Sequence, residues 1–123
     1  MNEMSPKLQN QIAQFQQLQQ QLQTVVSQKF QMEAQLREVN NTLEELGKVD
    51  DDTPIFRNVG SLLIKANDKE SVVTEMEEDK ETLEIRVKTL NRQEKQMREK
   101  FQSMQEQIQK ALGSGAGGAP SDN

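Results

Sequence analysis

IFRNVGSLLIK, residues 55–65, is a β-like stretch set between two long helical patterns, and that layout decides the fold. Bulky residues on either side of Asn58-Val59-Gly60-Ser61 read as a β-hairpin around an Asn- and Gly-containing turn. Leu62-Leu63-Ile64 does not alternate apolar with polar residues, so both faces of that strand need covering. A lone two-stranded hairpin is marginal in water, and its open edges are templates for pairing with another chain. The segment therefore needs partners that the rest of the chain cannot supply.

Outward from the hairpin, apolar residues recur with alternating spacings of three and four. On the N-terminal side Leu8, Phe15, Leu22, Leu36 and Leu43 share one heptad position, and Leu18, Val25, Met32, Val39 and Leu46 share the other. On the C-terminal side the series is Val73, Met76, Leu83, Val87, Leu90, Met97, Phe101, Met104, Ile108 and Ala111. Each runs for about six heptads, more than a coiled coil requires. Gln11, Lys29, Lys80 and Glu94 are the polar exceptions, at positions where such groups fix register or partner choice. Long Lys stems there are expected to snorkel outward.

The expected fold is mainly α: a long antiparallel two-helix coiled-coil hairpin with a short β-hairpin at the bend. Its boundaries are an N-terminal extension 1–4, helix 5–46, loop 47–53, β-hairpin 54–66, helix 67–112 and a flexible tail 113–123. Ser5 caps and Pro6 opens the first helix. Gly47 supplies a left-handed turn to end it. Asn67 caps the second helix, with Glu70 three residues later. Folding back about the hairpin brings Leu8, Ile12 and Phe15 near Phe101, Met104, Ile108 and Leu112. Terminal turns fray, so this end offers adaptable apolar side chains, with Met suited to many shapes. These seven residues are the candidate binding tips.

Composition removes most other functions. There are no Cys, His, Trp or Tyr residues, so thiol and imidazole catalysis, disulfides and ordinary zinc sites are excluded. No enzyme, cofactor or metal is expected. Asp50-Asp51-Asp52 lacks the alternating ligands, Gly and later Glu of a calcium loop. GSGAGG, residues 113–118, follows a helix and opens no other, so it is not a phosphate cradle. The net charge of −5 disfavours nucleic acid and anionic membranes as partners. The basic residues of the second helix are interrupted by Glu94, Glu99 and Glu106, which makes an RNA-gripping arm a weak alternative. No apolar run approaches a bilayer span, and residues 1–7 lack a secretory core, so a cytoplasmic protein is expected.

Residues 53–65, TPIFRNVGSLLIK, resemble the pattern of prefoldin beta-type subunits: an apolar residue, an aromatic and a basic residue, Val-Gly, then an apolar strand ending in Lys. LEIRVKTL, residues 83–90, is similar to the second helix of the archaeal beta type. The likeness covers residues from about 5 to 112, with Phe56 where many members carry Tyr and a Gly/Ala tail that departs from the pattern. A single strand pair resembles the beta type rather than the alpha type. The resemblance implies a hetero-hexamer of two alpha and four beta subunits whose hairpins form a barrel platform. Ile55, Phe56, Val59, Leu62, Leu63 and Ile64 would then make the platform contacts. It also implies an ATP-independent holdase that binds unfolded proteins at its tips and passes them to a group II chaperonin. The alternative from the residues alone is a structural coiled-coil scaffold or adaptor docking one fixed protein partner.

Overall fold

A computed structural model of the chain describes residues 5–114. In chain order these form helix α1 (Pro6–Lys48), strand β1 (Phe56–Val59), strand β2 (Leu62–Lys65) and helix α2 (Lys69–Ser114). The chain is thus two long helices joined through a short antiparallel β-hairpin. The 1–4 extension and residues 115–123 of the expected tail lie outside the described residues.

The described residues fall into two compact units, one of residues up to Gln28 and from Leu90 onward, the other Lys29–Thr89. In the first unit Leu8, Leu18, Leu22 and Val25 of α1 are buried. Phe15 stacks on Phe101 there, with ring centroids 4.4 Å apart. Farther along α1, Leu22 and Val26 share a groove with Arg98 and Phe101, so the helices run antiparallel. In the second unit Leu46, Val72 and Leu83 are buried.

Local chemistry sets the helix ends. The Leu8 amide donates to Ser5 Oγ at 3.1 Å, which satisfies one of the amides that a first turn leaves over. Three expectations change. Gly47 does not end α1 in a left-handed turn: the helix continues through it to Lys48, and Gly60 is the one described residue with positive φ. Asp68, not Asn67, caps α2. Its Oδ1 accepts the Ser71 amide at 2.7 Å, while Ser71 Oγ donates to the Asp68 carbonyl at 3.1 Å. A carboxylate is a stronger acceptor than an amide oxygen at a helix N-terminus. The cap moves along by one residue, and because Ser71 Oγ donates to a carbonyl the reciprocal capping box is not formed. Finally, α2 extends to Ser114, so residues 113 and 114 are helical rather than tail.

Candidate assembly surface and helix-end cluster

The hairpin turn is tighter than its sequence suggested. Val59 pairs with Leu62 and Asn58 with Leu63, which leaves Gly60-Ser61 alone as the loop. Gly60 has φ 61° while Ser61 does not enter the left-handed region. That is the pattern of a type II′ turn, which requires Gly first and matches the twist of its flanking strands.

The register sorts the side chains onto two faces. Phe56 and Lys65 are partners, as are Arg57 and Ile64. Ile55, Arg57, Val59, Leu62, Ile64 and Ala66 therefore share one face, and Phe56, Asn58, Leu63 and Lys65 share the other. On the first face Ile55, Arg57 and Ala66, at the base, are half-buried. Arg57 forms an ion pair with Glu75 of α2, so this face turns toward that helix. Nearer the turn the cover ends, and Val59, Leu62 and Ile64 are exposed. On the opposite face Phe56 and Leu63 are exposed, Leu63 by 69%. Of the six residues expected to make platform contacts, only Ile55 is half-covered by the chain's own fold.

A groove of about 920 Å³ runs along β1. Ile55–Val59 form one wall; Val39 and Leu46 of α1 and Val72, Met76 and Leu83 of α2 supply apolar floor. Glu38, Asp79 and Arg86 stand at its margins. Val72 is a surprise, because the heptad pattern singles out Val73, yet Val72 is buried and Val73 only half so. Beneath the hairpin the buried stripe of α2 turns by one residue to meet Leu46 and β1.

Lys69, unremarked in the sequence, ties this base together. Its Nζ donates to the Val49 carbonyl at 2.8 Å and lies 3.7 Å from Asp51 Oδ1. A lysine in a first helical turn opposes the helix dipole; here the same charge satisfies a carbonyl just past the end of α1. Asp68 beside it has its pKa held below the usual aspartate value, chiefly by the Ser71 backbone amide and then by the Ser71 side chain.

The second candidate site is the helix-end cluster in the first unit. Leu8 is buried, while Ile12, Phe15, Phe101, Met104 and Ile108 are half-buried and Leu112 is exposed. Phe15 and Phe101 stack across the two helices, and of the seven residues Leu112 alone is exposed. Two further exposed apolar residues had no signal in the heptads: Phe30, at 67%, and Ile85, at 59%, stand on faces away from the seam. Among the described residues no group of His, Cys, Asp and Glu is placed to hold a metal ion, and no helix is long and apolar enough to cross a membrane.

A helical pair that presents an uncovered apolar β-hairpin defines the class: a two-helix coiled-coil protein with open, apolar strand edges at the bend. The family model for prefoldin subunits matches residues 9–115, and the chain belongs to that family. Members of it are chaperone subunits, not enzymes. The prefoldin subunit beta of Archaeoglobus fulgidus is 52% identical over 117 residues, covering 95% of this chain and 100% of that protein. The subunit beta of Methanosarcina acetivorans is 47% identical over 91% of this chain and 95% of its own length. The crystal structure of the prefoldin beta subunit from Thermococcus strain KS-1 is similar with a TM-score of 0.80 and 39% identity, covering 91% of this chain and 97% of that one.

Proposed function

We propose that this prefoldin subunit is a beta-type, ATP-independent holdase that joins alpha subunits in a cytoplasmic hexamer of two alpha and four beta chains. Its hairpin residues Ile55, Phe56, Val59, Leu62, Leu63 and Ile64 make the shared platform. Leu8, Ile12, Phe15, Phe101, Met104, Ile108 and Leu112 contact unfolded proteins, which are then passed to a group II chaperonin. The observation that carries this reading is the hairpin: five large apolar side chains, Phe56, Val59, Leu62, Leu63 and Ile64, remain exposed on two short strands. The helix-end cluster supports the client role because half-buried Met and Phe residues in terminal turns open at little cost. Several such ends on one assembly raise avidity for a long unfolded chain.

The test is suppression of aggregation for several unrelated denatured proteins, without nucleotide. The wild-type assembly is expected to protect them. The pair Ile108→Ser and Leu112→Ser is expected to lose protection with native mass and helical content unchanged. A wild-type assembly that ignores all such clients and binds one native protein is a scaffold, and the holdase reading fails.

A further inference from the structure

Little holds the hairpin to the helices beyond its base. Residues 49–55 and 66–68 connect it to α1 and α2, and Ile55, Arg57 and Ala66 are half-buried there. Beyond that base the groove lies between β1 and the helices, along α2 from Val72 to Arg86. Among the described residues the Arg57–Glu75 contact is the single ion pair between the hairpin and either helix. Two more carboxylates line the same groove: Asp79, one helical turn beyond Glu75, and Glu38 of α1. Among the described residues neither of these carboxylates makes an ion pair.

We infer that Arg57 is a positioning residue with two seats on α2. On Glu75 it holds the hairpin raised with the groove open; on Asp79 it lowers β1 onto the apolar floor. Residues four apart on a helix stand about 6 Å from each other on one surface. The guanidinium can therefore pass from one carboxylate to the other without leaving the groove. Asp79 is one methylene shorter than Glu75, so Arg57 must descend toward the helix to reach it. That descent brings Val59, exposed on the groove wall, toward Val39, Met76 and Leu83. Apolar surface leaves water on both sides as the groove closes. The pair at Glu75 opposes this only weakly, because both partners are partly exposed and such pairs contribute little. The two seats are thus populated within about tenfold of each other.

The other charges around the groove set the limits of the movement. Glu38, on the α1 wall, has the same sign as Asp79 and adds to the attraction on Arg57 as β1 descends. Arg86 lies farther along α2 and repels Arg57, so the travel stops at the second seat. Nothing on β2 competes for the carboxylates, since Lys65 stands on the opposite face of the hairpin. The movement takes place within one copy of the chain and stands whether or not copies join. Its consequence is control of how much apolar hairpin a single chain presents to its surroundings.

The absence of cysteine makes a direct test available. Ser61→Cys with Lys88→Cys carries two spin labels, one at the exposed hairpin turn and one on an exposed site of α2. Labelled chain is diluted into excess unlabelled chain, and pulsed electron spin resonance reads the distance within one copy. Circular dichroism on each variant reports its fold. With Glu75 and Asp79 both present, two distances are expected, differing by up to about one helical turn, or 5 Å. Glu75→Gln should shift the population toward the distance of the lowered hairpin, and Asp79→Asn should leave only that of the raised one. Arg57→Glu combined with Glu75→Arg rebuilds the first pair in reverse and should restore the raised distance. An unchanged profile in Glu75→Gln overturns the inference and reduces the ion pair to a surface contact. A shift that persists when Asp79→Asn is added to Glu75→Gln overturns the second seat. Where Glu75→Gln loses its fold, Asp79→Asn alone decides: loss of the lowered distance supports the inference, and its persistence overturns it.

Discussion

Replacing Leu63 by Asp separates the chain's own stability from its stability as part of an assembly. Burying a leucine side chain fully contributes about 1.5–3 kcal/mol. Leu63 keeps 69% of its surface in water within the single chain. About 1–2 kcal/mol per copy is therefore still to be gained by covering it. Leu63→Asp forfeits that gain and adds the desolvation of a carboxylate wherever the face is closed, a further cost of several kcal/mol. The two costs together come to about 4–6 kcal/mol, so at 1.4 kcal/mol per decade each contact should weaken by about 1000-fold or more. Sedimentation across a concentration series reads the association, and far-ultraviolet circular dichroism on the same samples reads the helices. The expected outcome is dissociation with helical content kept, and with Leu63→Met behaving as wild type. A Leu63→Asp protein that associates as tightly as wild type, or that loses its helices along with the oligomer, would refute the reasoning.

Three smaller perturbations test the local account. Gly47 is helical with open space around its α-carbon, so Gly47→Ala should stabilise the fold by about 0.5 kcal/mol, a fraction of the mid-helix value because it stands in the last turn. Gly60→Ala should destabilise by about 1–2 kcal/mol despite equal space, because φ is 61° there; thermal melts of the two variants should move in opposite directions. Asp68 has a lowered folded pKa, so its cap contributes fully above the unfolded value near 3.8 and is lost as pH falls through the folded value. Asp68→Asn should flatten that acid limb while leaving stability between pH 5 and 8 independent of pH at this site, as a pH series of melts would show. Lys69→Met should remove one hydrogen bond worth about 1 kcal/mol and speed hydrogen exchange at the Thr53 amide, which bonds the Asp50 carbonyl in the loop that Lys69 holds.

The repeating pattern carried most of the architecture. Leu8, Leu18, Leu22, Val25, Leu46 and Leu83 were all legible as seam residues because a heptad reports one face of a helix directly. The hairpin was legible because Asn58-Val59-Gly60-Ser61 punctuates two bulky runs, although only Gly60-Ser61 proves to be the turn. What escaped depended on neighbours distant in sequence. Gly47 can cap or continue a helix, and its residue type alone does not decide between the two. Asn67 and Asp68 are both cap-forming types, and only the position of Ser71 separates them. Val72 and Val73 are identical side chains; the hairpin packed above them decides which is buried. Lys69 gave no sign of its role, since a lysine near a helix start usually faces solvent. Phe30 and Ile85 carry no periodic signal because they lie off the seam.

The Ile12, Phe15, Met104 and Ile108 cluster shows a different boundary of sequence reading. The sequence places these residues at one end of the helix pair, where Phe15 stacks on Phe101 and the others are half-buried. Whether they also grip clients turns on how readily the last turns open, a free-energy difference that heptad spacing does not encode. The hairpin is different in kind, because its apolar groups are already uncovered and need no opening to be reached.

The most direct measurement is therefore the native mass of the unaltered chain in dilute buffer, with its β content recorded in the same sample. Exposed strands of four residues each should exist only in company, so a multiple of the chain mass is expected wherever sheet signal is present. A monomer that keeps its sheet would contradict the account.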